Sequence, residues 1–278
     1  MRRTIRVTHS PDSDDAFMFY ALANGRIDTG ELDYVHELQD IETLNQRALR
    51  GELEVSALSI HAYAYVADRY VLLAHGASMG DGYGPRLVSG KPVELSELAG
   101  RAIAVPGLLT TAYLALRLLV PDFEPVPVPF DRIEEEVASG RFEAGLLIHE
   151  GQLTYHQHGL HLVADLGQWW KATTGLPLPL GGNVVRRDIG DDNTIRTIAE
   201  HLRASIAFAL DHPDEALAHA RRYSRGLGIQ DTRTFVSMYV NEYTLDYGPD
   251  GRRAVRELLQ RASVAGLLPE MPAVEFVG

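Results

Sequence analysis

The sequence predicts an α/β protein of two lobes, joined by two crossover strands and separated by a cleft. Short apolar strands alternate with helical segments over the first two thirds of the chain, a pattern typical of parallel sheets, and helices follow. The composition changes near Leu98, and residues 178–182 form an extended Pro–Gly-rich segment, so we expect the chain to cross between lobes at both places. We therefore predict one lobe of residues 1–98 and 187–278 and another of residues 99–186, with a cleft that can close by hinge bending.

In the first 98 residues, short β-branched and apolar runs predict strands, and longer amphipathic runs predict helices. The strands are predicted at residues 4–8, 32–35, 54–58, 70–74 and 87–89. The helices are predicted at residues 16–23, 41–49 and 60–67. Gly25 is a usual residue at a helix end, and Ser59 is a usual residue at a helix start.

The second lobe repeats this alternation, and the end of the chain is helical. Its strands are predicted at residues 101–105, 126–129, 144–148 and 162–165, with a further strand at 184–187. Helices are predicted at residues 95–100, 112–119, 133–139, 194–210, 213–223, 232–239 and 249–265. Prolines place the strand at 126–129 near a sheet edge.

The composition disfavours several classes of function. The chain has 278 residues, no cysteine and a formal net charge of −12. Lack of cysteine excludes thiolate metal sites and a cysteine nucleophile. The acidic balance disfavours nucleic acid and anionic membranes as partners. Because no apolar signal-peptide core and no run of about 18 apolar residues occurs, we expect a soluble, cytoplasmic protein. The oligomeric state stays open.

The strand predicted at 144–148 ends abruptly at His149-Glu150-Gly151. Ligands of open α/β sheets bind beyond the carboxyl ends of the strands. An imidazole at such an end is suited to acid–base chemistry near neutral pH. The alternative is a histidine that caps the strand and bonds to the backbone.

Three further strand ends run through hydroxyl or glycine residues into helix starts, at residues 10–15, 58–59 and 107–111. Helix N-termini and hydroxyl groups bind anions, and these loops contain no Lys or Arg. The pattern favours a carboxylate ligand over a triphosphate. Alternatively, these hydroxyls are ordinary caps, and Asp14 and Asp15 are the acidic first turn of a helix.

Other histidines offer weaker candidates. His149, His156, His158 and His161 lie close together in sequence, so a metal site was one possibility, although His156 and His158 are expected to point apart. We predict no metal and no cofactor. His9 and His61 stand beside candidate loops and are alternative pocket residues.

The chain resembles the 1,4-dihydroxy-6-naphthoate synthase family of the futalosine route to menaquinone. The resemblance runs almost end to end and is carried by S-P-D-S-D-D-A-F-M-F-Y-A-L, D-I-E-T-L-N, S-A-L-S-I-H-A-Y-A-Y-V, V-P-G-L-L-T-T-A-Y-L, E-A-G-L-L-I-H-E, L-G-Q-W-W and T-G-L-P-L-P-L-G. It implies the two-lobed fold of type II periplasmic binding proteins. It also implies a lyase that cleaves a carbon–carbon bond of cyclic dehypoxanthine futalosine, an aromatic carboxylate, without a cofactor.

The resemblance also implies roles for individual residues. His149 corresponds to the proton acceptor of the family's I-H-E motif. The substrate-binding residues are expected to be Ala57, Leu58, Ser59, Thr110, Thr111, Ser10 and Asp14. The first loop departs from the family pattern, because Asp14 and Ala16 replace an amide and a hydroxyl, and this leaves the contacts of Ser10 and Asp14 open.

The sequence leaves two alternative functions open. A sister family that dehydrates chorismate in the same pathway shares the fold, but the I-H-E motif argues against it. A solute-binding protein that returns its ligand unchanged is the other, because a fold does not determine a function.

Overall fold

A computed structural model describes residues 2–278, which form twelve strands and thirteen α-helices. The strands are β1 (Arg3–His9), β2 (Leu32–Leu38), β3 (Val55–Ser59), β4 (Tyr70–Leu73), β5 (Ser78–Gly80), β6 (Arg86–Ser89), β7 (Ala102–Val105), β8 (Glu124–Pro127), β9 (Ala144–Leu147), β10 (His161–Asp165), β11 (Leu178–Arg186) and β12 (Phe276–Val277). None of the helices in this part of the chain has the length and hydropathy that a membrane crossing requires.

The helices cover the faces of two sheets and fill the C-terminal region. They are α1 (Ser13–Met18), α2 (Tyr20–Ala23), α3 (Ile41–Leu49), α4 (Ile60–Tyr63), α5 (Thr111–Leu119), α6 (Ile133–Ala138), α7 (Gly151–Thr154), α8 (Leu166–Thr174), α9 (Asp192–Asp211), α10 (Pro213–Ala220), α11 (Ile229–Tyr239), α12 (Glu242–Leu245) and α13 (Gly248–Val264). Short 3₁₀ turns lie at Leu95–Leu98, Phe130–Arg132, Tyr155–His158 and Arg221–Tyr223.

The strands form two separate sheets, and each sheet is the centre of one lobe. The first sheet has the order β12-β4-β11-β3-β1-β2, with β5 beside β11. The second has the order β10-β6-β9-β7-β8, so β8 lies at an edge as its prolines predict. Helices α10 and α11 pack on α1 of the first lobe.

Sheet membership corrects the predicted lobe boundaries. The prediction assigned β6 to the first lobe and β11 to the second. Instead, β6 pairs with β9 and β10, and β11 pairs with β3 and β4. The chain therefore crosses at residues 81–85 and 175–177, rather than near Leu98 and at residues 178–182. Both strands run antiparallel to their neighbours, so the sheets are mixed rather than wholly parallel. The sheet to which a strand belongs is decided by its backbone hydrogen-bond partners, and composition does not reveal those partners.

Helix α6 packs closely on β9, the strand that leads to His149. A Cβ atom added at Gly145 would lie 2.5 Å from Cγ2 of Ile133 and 2.7 Å from Cγ2 of Val137. Protein interiors are close-packed, so these atoms have little room to move. The position of β9 therefore depends on the absence of a side chain at Gly145.

We expect Gly145→Ala to lower the free energy of unfolding by about 1–3 kcal/mol, the usual effect of overpacking. Gly181→Ala is the matched control, because its added Cβ would lie 3.4 Å from its nearest neighbour, the carbonyl oxygen of Leu58. Urea unfolding measures both variants. Equal midpoints for the two variants would contradict the close packing of α6 on β9.

Candidate active site

The candidate active site is the cleft between the lobes, beyond the carboxyl ends of β1 and β3 on one side and of β7 and β9 on the other. Its empty space is about 730 Å³, with solvent at the mouth included. All eight predicted site residues line it: Ser10, Asp14, Ala57, Leu58, Ser59, Thr110, Thr111 and His149. The strand ends that the sequence singled out thus meet at one cleft, together with Ala57, which only the resemblance suggested, and the roles of these residues stay predictions.

His149 is bonded on one side of its ring and unpaired on the other. Nδ1 lies 2.9 Å from Oδ2 of Asp12. Nε2 is buried and has no hydrogen-bond partner within residues 2–278. The ring also packs edge-on against Phe130, with centroids 4.7 Å apart. An imidazole that donates from Nδ1 keeps its lone pair on Nε2, and this is the arrangement of a general base. The ring contacts a carboxylate, so the alternative of a backbone-bonded cap does not hold.

Asp12 belongs to a charged group that sequence reasoning missed. Its Oδ1 forms an ion pair of 2.6 Å with Nη2 of Arg225, whose Nη1 donates to Oε2 of Glu150 at 2.9 Å. Glu150 also accepts from the hydroxyl of Ser13 at 3.4 Å and does not line the cleft. Asp12 lies within the loop that the sequence singled out, but nothing in the sequence connects Arg225 to it.

These contacts shift the pKa values of both members of the pair. Burial acts to lower the pKa of His149, but the charge and hydrogen bond of Asp12 more than offset it, so the net shift is upward from 6.5. Burial acts to raise the pKa of Asp12, but His149 and Arg225 hold it below its usual value. Each partner therefore stabilises the charged form of the other.

The pKa values of the neighbouring acids Asp14 and Asp15 are raised, whereas that of Asp12 is lowered. Burial, reinforced by the charges of Asp15 and Asp12, raises the pKa of Asp14 well above its usual value. Burial and the charge of Asp12 raise the pKa of Asp15 to about 7, although Asp15 accepts a hydrogen bond from the amide of Ser10 at 2.8 Å. A protonated Asp14 can act as a hydrogen-bond donor in the cleft. Both residues lie in the first turn of α1. Asp14 also lines the cleft, so its place in the first helical turn does not exclude contact with a ligand.

The cleft also carries neutral donors. The hydroxyl of Ser59 accepts from Nδ2 of Asn45 at 3.0 Å, and its own hydrogen is not used within the described chain. The hydroxyls of Thr110 and Thr111 instead donate to the carbonyl oxygens of Gly107 and Leu180. The expectation that these two hydroxyls are free donors is therefore wrong for this structure, because Thr110 bonds to the loop before α5 and Thr111 bonds to β11.

Two other features of the cleft residues are unpaired polar atoms. The amides of Thr111 and Ala112, at the start of α5, make no hydrogen bond to residues 2–278. Asn183 lines the cleft, and its buried Oδ1 likewise lacks a partner in the described chain. Helix N-terminal amides of this kind bind anions.

The remaining histidines lie outside the cleft lining. His61 lies behind it, where its amide donates to the hydroxyl of Thr111 at 3.1 Å. His9 is buried against His36, with 3.1 Å between their ring nitrogens. His156, His158 and His161 are exposed. His61 thus supports the site as a neighbour of a pocket residue rather than as a contact.

Comparison with known proteins agrees with the fold and the site. The chain is 45% identical to the 1,4-dihydroxy-6-naphthoate synthase of Thermus thermophilus, over 98% of this chain and 99% of that protein. It is 39% identical to the synthase of Streptomyces coelicolor, over 96% of each chain. The resemblance predicted from the motifs is therefore confirmed.

Solved structures show the same architecture. A crystal structure of a protein from Archaeoglobus fulgidus shares 49% identity with a TM-score of 0.89, over 95% of this chain and 98% of that chain. The alkanesulfonate-binding protein of Xanthomonas axonopodis shares only 13% identity but has a TM-score of 0.71 over 100% of both chains. The periplasmic-binding-protein-like fold is confirmed. Residues 5–264 match the menaquinone biosynthesis family, to which this chain belongs.

Proposed function

We propose that this protein is a carbon–carbon lyase that converts cyclic dehypoxanthine futalosine to 1,4-dihydroxy-6-naphthoate in menaquinone biosynthesis. The observation that carries the proposal is the state of His149, a residue that lines the cleft and whose Nε2 is buried and unpaired within the described residues. A solute-binding protein has no need of an unpaired base in its cleft. The identities of 45% and 39% to two synthases support the same reaction.

The polar groups of the cleft suit this substrate. The hydroxyl of Ser59 and the amides at the start of α5 are neutral donors, which suit the aromatic carboxylate. His149 lines the same cleft, and we assign to it the cleavage of the sugar-derived part. A carboxylate held by these donors would keep the reacting carbon near Nε2, and such positioning lowers the barrier.

The reaction then needs one base and no added group. Nε2 of His149 removes a proton, the carbon–carbon bond to the sugar-derived fragment breaks, and loss of that fragment makes the second ring aromatic. Neutral donors, among them Ser59 and the amides at the start of α5, stabilise oxyanions that develop in the transition state, and the raised pKa of Asp14 favours a donor there too. The predicted absence of a metal and a cofactor, and the cytoplasmic location, stay predictions.

Purified protein mixed with cyclic dehypoxanthine futalosine tests the reaction directly. We expect the naphthoate to appear, detected by its mass and ultraviolet absorbance. Unchanged substrate would indicate a binding protein. Dehydration of chorismate by the same preparation, without any naphthoate, would favour the sister enzyme.

We expect His149→Asn to lower kcat by at least about a hundredfold, because general base catalysis typically contributes about 10²–10⁴-fold. Substrate binding should stay within about tenfold of wild type, since asparagine keeps part of the size and polarity. His156→Asn, an exposed histidine of the same lobe, is the control and should have no effect. Turnover of the His149 variant at the wild-type rate would show that another group is the base.

We expect Ser59→Ala to raise KM by about 10- to 100-fold, because loss of a hydrogen bond to a charged group costs about 1.5–3 kcal/mol. Ser56→Ala, in the same strand, is the control, since its hydroxyl donates to the carbonyl of Ala57 and does not line the cleft. Steady-state kinetics compares both variants. A KM that is unchanged in Ser59→Ala would remove Ser59 from the carboxylate site.

A further inference from the structure

The contact between Asp12 and His149 spans the two lobes. Asp12 follows β1 of the first sheet, whereas His149 follows β9 of the second. The sequence separates them by more than a hundred residues, and the two crossings at residues 81–85 and 175–177 join their lobes. The environment of the proposed base therefore includes groups from both lobes.

Arg225, from the C-terminal region, forms ion pairs with residues of both lobes next to this contact. It follows α10, which packs on the first lobe, and it pairs with Asp12 of that lobe. It also pairs with Glu150 of the second lobe, and its guanidinium lies 4.4 Å from the ring centre of Phe130, also of the second lobe. Because Arg225 does not line the cleft, these contacts hold the lobes together rather than bind a ligand.

Backbone geometry marks the same two residues. Among residues 2–278, His149 (φ 56°) and Arg225 (φ 50°) are the non-glycine residues with positive φ. Such conformations cost free energy and persist only where surrounding contacts enforce them. Here the enforcing contacts converge on Asp12, which is 2% exposed.

We propose that Asp12 is a positioning residue for His149 and that the base is assembled only when the lobes close, with Arg225 as the latch that holds them closed. This inference rests on the proposed role of His149 as the base. In an open state, the ring would lose the partner of Nδ1, and with it the orientation and the tautomer that leave the lone pair on Nε2. Closure and activation of the base would then be one event, as in enzymes that complete their site on closing.

The charges around His149 make the proposal testable by pH. The charged or titratable groups that face it are Asp12, Asp14, Glu150 and Arg225. Asp12 and Glu150 act to raise the pKa of His149, and Arg225 acts to lower it. The base must be neutral, so wild-type kcat/KM should fall as the pH drops through a value above 6.5.

We therefore expect two variants to move the pH profile of kcat, which reports the closed enzyme–substrate complex, in opposite directions. Asp12→Asn should lower the apparent pKa and reduce the plateau of kcat by about a hundredfold, the usual effect of misplacing a catalytic group. Arg225→Gln should raise the apparent pKa of the closed complex, because a neighbouring positive charge is lost, and it should raise KM, because closure is weaker. Arg233→Gln, which breaks an exposed pair with Asp214, is the control and should change neither quantity.

Closure itself can be measured without activity, because the chain has no cysteine to interfere with labelling. Val35→Cys in β2 and Glu124→Cys in β8 place one spin label on an exposed edge strand of each lobe. We expect a narrow distance distribution in the Arg233→Gln background and a broader, longer one in the Arg225→Gln background. Added substrate should restore the narrow distribution. Circular dichroism confirms that each variant is folded.

The outcomes separate this inference from the proposed function. Unchanged pH profiles in Asp12→Asn and Arg225→Gln, together with loss of activity in His149→Asn, would overturn the assembly of the base on closing but leave the reaction intact. An active His149→Asn variant would overturn this inference and the role of His149 as the base, whereas unchanged substrate with the wild-type protein would overturn the proposed function. Label distances that Arg225→Gln does not alter would remove its role as latch.

Discussion

The candidate site depends on one buried contact, the carboxylate of Asp12 against the imidazole of His149. Burying either group alone is costly, because it leaves an uncompensated charge. Arg225 and Glu150 add charges of both signs next to the pair, so four groups from two lobes form a single charged unit. With His149 neutral the unit carries one net negative charge, and with His149 protonated it carries none. The same balance explains why the pKa of His149 is raised despite its burial.

Beside this charged unit the cleft contains neutral polar groups. Asp14 and Asp15 have little access to water and lie near the charge of Asp12, so their protonated forms are favoured. The hydroxyl of Ser59 and the first amides of α5 are uncharged donors. A carboxylate ligand would therefore meet neutral donors in the same cleft as the proposed base. The absence of Lys and Arg from these loops is consistent with a ligand held by neutral groups.

The sequence allowed the lining of the cleft to be predicted well, because local rules apply at strand ends. A strand that stops at His149, and strands that run into helix starts at Ser59 and Thr110, bring their side chains to the same edges of the sheets. Long-range partners could not be predicted in the same way. The pairing of Asp12 with Arg225 and the exchange of β6 and β11 between lobes depend on tertiary packing. The hydroxyls of Thr110 and Thr111 were expected to be free donors, but both donate to backbone carbonyl oxygens. A sequence does not show which hydroxyls are bonded in this way.

A two-lobed binding fold offers such chemistry a specific advantage. The alkanesulfonate-binding protein has the same architecture at 13% identity, so the fold by itself does not determine catalysis. In this chain the imidazole of His149 lies on one lobe and its carboxylate partner on the other. A binding cleft that closes on its ligand excludes water and fixes geometry. Under the proposed mechanism, this placement would add activation of the base to the closing motion, so the binding energy of the remote carboxylate could be used at the reacting carbon.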